Sequence, residues 1–89
     1  MYKDEENGTW EIHIGSTPKV FERKDGPMWS WEGPQGQIIT IKELERGMVY
    51  VTYRVTDYVI RYTGLVYEAF AELEKELYRH VKRTLAPFV

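Results

Sequence analysis

The chain is 89 residues long, with 12 Lys and Arg against 14 Asp and Glu, two His and no Cys. That length makes one domain with a modest core, and the missing cysteines exclude disulfides, thiol chemistry and cysteine-ligated metals. The formal charge of −2 is placed mostly in residues 1–7, where one Lys faces Asp4, Glu5 and Glu6, while residues 8–89 balance at eleven basic against eleven acidic side chains. Such a balance argues against a strongly basic nucleic-acid protein, though it leaves room for a local patch.

Side-chain amides are confined to Asn7, Gln35 and Gln37, whereas Glu, Lys and Arg abound, the composition expected of a heat-adapted intracellular protein. The polar N-terminus and the short apolar runs predict neither a signal peptide nor a membrane span, hence a cytoplasmic chain.

In chain order, residues 1–8 have nothing to bury and read as a disordered acidic tail. Thr9–Ile14 alternates as a strand, with Trp10, Ile12 and Ile14 on one face and Glu11 and His13 on the other. Gly15-Ser16-Thr17-Pro18 turns the chain. Lys19–Lys24 is a second strand, setting Lys19, Phe21 and Arg23 against Val20 and Glu22. Asp25-Gly26-Pro27 closes a hairpin to a third strand, Met28–Glu32, which places Trp29 and Trp31 together on one face. Gly33-Pro34-Gln35-Gly36 turns again, and Gln37–Ile39 adds a short fourth strand.

Thr40-Ile41-Lys42-Glu43 reads as a capping box opening a short helix, Ile41–Arg46, that Gly47 closes. From about Met48 to Leu85, apolar residues recur three or four apart (Met48, Val51, Val55, Val59, Tyr62, Val66, Phe70, Leu73, Leu77, Val81, Leu85) opposite a polar stripe. The pattern predicts one long amphipathic helix, stopped by Pro87. Residues 49–56 also alternate at period two and are rich in β-branched and aromatic side chains, so strand competes there. Gly64 reads as a kink or as the helix start. A helix over the whole run would be roughly 55 Å long, whereas a compact domain of this size spans about 25 to 30 Å. It must project or pair with another subunit, which predicts a homodimer or higher homo-oligomer. The expected fold class is therefore α+β: a small antiparallel meander of three to four strands, a short capped helix and a long C-terminal helix, as a single domain over 9–85 with an apolar tail at 86–89.

Catalysis is poorly supplied, and no catalytic residue, cofactor or metal is expected. Glu76 and His80 stand four apart on the helix, a spacing that can hold a metal but more often gives solvated neighbours. Arg79, Lys82 and Arg83 sit where cations favour the negative end of the helix dipole. The anomaly is aromatic: three Trp, seven Tyr and three Phe. Trp29 and Trp31 are either the core layer under the helix or, with Phe21, a stacking platform for unpaired bases, flanked by Lys19, Arg23 and Lys24 for phosphates. Arg54 and Arg61 share a helical face seven apart, either pairing with Asp57 or contacting phosphates.

Gly8-Thr9-Trp10-Glu11-Ile12, Trp29-Ser30-Trp31-Glu32-Gly33-Pro34, the Lys42-Glu43-Leu44 helix and the long final helix together resemble the archaeal ThermoDBP group of single-stranded-DNA-binding proteins and their smaller relatives. The resemblance implies an aromatic-lined cleft edged by basic residues and a final helix that oligomerises. The chain departs from it in lacking the longer C-terminal zipper and in its near-neutral charge. The leading expectation is thus a non-enzymatic, sequence-tolerant binder of single-stranded DNA or RNA, acting through Phe21, Trp29, Trp31, Lys19, Arg23, Arg54 and Arg61. The rival is a protein-interaction or oligomerisation module whose aromatics are core.

Overall fold

The computed structural model of the chain describes residues 2–14 and 17–85, with side chains at all of these except 17, 77 and 79–85. Strands β1 (Tyr2–Asp4), β2 (Thr9–Ile14), β3 (Thr17–Asp25), β4 (Met28–Glu32), β5 (Ile38–Glu43), β6 (Met48–Val55) and β7 (Tyr58–Leu65) form one seven-stranded antiparallel sheet in sequence order. Helix α1 (Val66–Leu85) follows directly. The protein is mostly β, which overturns the expected small meander with a long helix.

The second, third and fourth strands follow the alternation read from the sequence, with Trp10, Ile12, Ile14, Phe21 and Trp29 buried. The N-terminal residues do not: Tyr2–Asp4 pair with Thr9–Glu11 instead of forming a disordered tail. Asp4 makes the return possible, because its carboxylate accepts the Asn7 backbone N–H at 3.1 Å and the Asn7 side-chain N–H at 2.7 Å, and Gly8 supplies the positive φ of 65°.

The capping box is also corrected. Thr40 and Glu43 lie within β5, paired with Thr52 and Val49 of β6, and only a 3₁₀ turn at Glu45–Gly47 replaces the expected helix. Ile39 and Ile41 are both fully buried, and extending that alternation carries Glu43 to the same inner face. A cap at Thr40 would have broken it.

The largest correction falls on residues 48–65. Val49, Val51, Tyr53 and Val55 alternate into the core, a two-residue turn at Thr56-Asp57 follows, and Val55 faces Tyr58 across the hairpin. Helical and strand spacing coincide at Val51 and Val55, which are four apart and so also in phase at period two. The turn then separates the two templates. It places Val59 on the outside at 42% exposure, where a helix would have buried it. Gly64 is neither kink nor helix start but an inner-face strand position opposite Val49, over which the Tyr62 ring lies so closely that a Cβ would meet it at 2.8 Å.

Helix α1 is 20 residues long, so it needs no second subunit to account for its length. Ala69, Phe70 and Leu73 join the inner face of the sheet in one core, and the helix contacts β7, β6 and β2. Contact with strands so far apart in the sheet requires the sheet to curl around the helix. Glu76 is described, but the side chains of His80, Arg79, Lys82 and Arg83 and the tail at 86–89 lie outside the described residues, as do residues 15 and 16 of the expected Gly15-Ser16-Thr17-Pro18 turn, whose Thr17 and Pro18 instead open β3. No helix among the described residues is long and apolar enough to cross a membrane.

Candidate functional site

The residues singled out in the sequence divide between the two faces of the sheet. Phe21, Trp29, Trp31, Lys19 and Arg23 share the inner face; Arg54 and Arg61 lie on the outer one. Phe21 and Trp29 are 0% exposed. A ring with no accessible face cannot stack on a base, so these two are core and the expected platform does not form. Trp31 is half-buried, with the Lys19 Nζ 5.1 Å from its ring centroid. Burial of Lys19 pushes its ammonium pKa down.

Arg23 belongs to a knot at the end of the inner face. Its guanidinium lies 4.6 Å from the Trp29 ring and is bonded to the Glu5 carboxylate. Lys3, on the edge strand β1, stands 4.7 Å from the Trp10 ring and 5.3 Å from Trp29. Glu43 closes the knot, accepting the Trp29 indole N–H at 2.8 Å and pairing with Lys3 at 2.6 Å. Trp10 meets Trp29 edge-on at 5.5 Å and Phe70 at 6.1 Å. Each cation is thus placed over a ring or against a carboxylate, the arrangement in which half-buried charge is tolerated. The knot joins β1 to β5 and reads as structural.

The sequence pattern singles out neither Lys3 nor Glu43, since it places one in a tail and the other in a cap. Continuing the Ile39, Ile41 alternation by two residues is the signal that could have found Glu43.

A cavity of about 160 Å³ lies between α1 and strands β6 and β7, lined by Val51, Tyr53, Ile60, Tyr62 and Leu73, with Glu72 and Glu76 from the helix. The Tyr58 hydroxyl donates to Glu76 at 3.0 Å. Burial, and then the neighbouring Tyr58, raise the Tyr53 phenol above its ordinary 10.0. Among the described residues, no group of three or more His, Asp or Glu side chains is placed to hold a metal.

The outer face is different in kind. Thr52 faces Arg61 and Arg54 faces Val59, so the two arginines are diagonal neighbours on adjacent strands. Neither makes an ion pair among the described residues, Asp57 included. Thr52, Thr56, Asp57 and Val59 surround them in a shallow surface depression. Val20, Ile38 and Val59 project from this same face at 51%, 37% and 42% exposure. No family model, curated protein or solved structure matches the chain.

Proposed function

We propose that the chain is a non-enzymatic interaction module that docks another protein surface on the outer face of its sheet. The observation that carries this reading is the contrast between the faces. The helix covers the inner face alone, while the outer one holds Val20, Ile38 and Val59 exposed among Glu22, Glu32, Arg54 and Arg61. Apolar side chains ringed by charges on an uncovered sheet face are the makings of a docking surface. Hydroxyl-radical footprinting in the cells that make the protein should protect Ile38 and Val59 relative to the dilute purified chain. Equal labelling in both samples would remove this reading.

A second reading, single-stranded nucleic acid bound by a homo-oligomer, keeps one specific support: Arg54, Arg61 and Lys42 all lie on that outer face, and none makes an ion pair among the described residues. Anisotropy of a labelled oligonucleotide should then rise at low salt. Its affinity should fall with salt by about 0.7 per phosphate contact on a log–log plot, with Arg54→Ala lowering that slope. No binding at low salt excludes it.

A further inference from the structure

The docking face carries a charge and apolar pattern that selects its occupant. Building on the interaction-module reading, we propose that the partner is a second copy of this chain, packed outer face to outer face about a two-fold axis running along β5. Two cross-strand rows carry the inference. In the first, Glu32 faces Ile38, Ile38 faces Arg54 and Arg54 faces Val59, while Val20 of β3 lies beside Glu32 in one surface depression. In the second, Glu22 faces Ser30, then Thr40, Thr52 and Arg61 follow in turn.

Strand β5 has β4 and β6 beside it and β3 and β7 beyond them. A two-fold axis in the contact plane, parallel to β5, therefore exchanges β4 with β6 and β3 with β7. The first row then sets Ile38 against Ile38, Glu32 against Arg54 and Val20 against Val59 of the second copy. The second sets Thr40 against Thr40, Ser30 against Thr52 and Glu22 against Arg61. Within these two rows Glu32 and Glu22 each face a guanidinium and Val20, Ile38 and Val59 face one another, with the approach closest at Ile38, Glu32 and Arg54 beside the axis, because the curl of each sheet around its helix draws β3 and β7 back. This self-complementarity is what an isologous contact demands.

Glu32 and Arg54 have no opposite charge in reach among the described residues. They share a row but stand two strands apart, roughly 10 Å at the usual strand spacing. Among the described residues Glu22 pairs only with Lys24, at 3.7 Å. Facing sheets pack about 10 Å apart, a gap that a Glu and an Arg side chain extended toward each other can bridge. A third row, Met28, Lys42, Tyr50 and Thr63, would set Lys42 against Lys42. The contact is therefore centred on the first two rows, which leaves Lys42 at its rim, where solvent screens the like charges.

The test is a charge swap followed by sedimentation equilibrium of the full chain up to several hundred micromolar. Wild type should dimerise. Glu32→Arg and Arg54→Glu should each weaken the dimer by roughly tenfold or more, because the symmetry breaks two pairs at once. The double variant, Glu32→Arg with Arg54→Glu, should return to near the wild-type dissociation constant. Restoration cannot come from folding alone, and circular dichroism of each single variant checks that the sheet persists. A wild type monomeric throughout, or a double variant no tighter than the singles, overturns the self-docking. If Ile38 and Val59 are nevertheless protected in cells, the face binds a different protein and the interaction-module reading survives.

Discussion

Lys3 Nζ lies 2.6 Å from Glu43 Oε2, joining the edge strand of the sheet to its fifth strand across forty residues of chain. The other Glu43 oxygen takes the Trp29 indole N–H, so one carboxylate answers both a buried donor and a cation. Glu43→Ala should cost about 1 to 3 kcal/mol, since it leaves the indole without an acceptor. Glu43→Gln keeps an acceptor and should cost clearly less. Urea unfolding at constant slope measures both, and equal losses would mean the indole bond contributes nothing.

The tryptophans should separate by burial. Phe21→Ala and Trp29→Ala each empty a fully buried site and should lose about 3 to 5 kcal/mol, a large share of the stability of a domain this small. Trp31→Ala removes a half-buried ring under Lys19 and should keep most of the thermal stability. Thermal melts that rank Trp31→Ala with Trp29→Ala would show that Trp31 is equally core.

Acid should loosen the first hairpin before the rest. The hydrogen bond from Arg23, then that from Lys3, hold the Glu5 carboxyl below its ordinary 4.5, and the Asn7 backbone N–H holds Asp4 below 3.8. Groups whose folded pKa is lowered stabilise fully above the unfolded value and lose that contribution as pH falls through the folded one. Amide resonances of Tyr2–Asp4 should therefore shift at pH below about 4.5 while those of β6 hold, and Arg23→Ala should weaken the Glu5 component. Simultaneous loss in both strands would count against a local transition.

Thr56 opens the β6–β7 turn at φ 48°, a left-handed conformation that a β-branched residue resists. Thr56→Gly relieves it and gives up the Thr56 hydroxyl bond to the Val55 carbonyl at 2.8 Å. A net gain of about 1 kcal/mol is expected, raising the melting temperature by roughly 4 to 8 °C. A lower melting temperature would mean that the hydroxyl bond outweighs the strain.

How much was legible depends on which physical rule acted alone. Between Thr9 and Glu32, glycine and proline punctuate short alternating runs, and the alternation itself set Trp10, Ile12 and Ile14 on one face of their strand and Phe21 with Lys19 and Arg23 on one face of the next. From Val66 onward, strong helix formers at helical spacing admit one conformation, and α1 follows. Between these, two periods fitted the same letters. Val51 and Val55 stand four apart, satisfying helix and strand alike, and Arg54 and Arg61 share a face both on a helix and across the hairpin. The Thr56-Asp57 turn decided for the strand, because a hairpin pairs β6 with β5 on one side and β7 on the other and so satisfies the backbone of both segments, while a continuous helix would have left β5 an open edge. Burial of Phe21 and Trp29, and the meeting of Lys3 with Glu43, were decided only by the curl of the assembled sheet, which brings together residues that no local spacing relates.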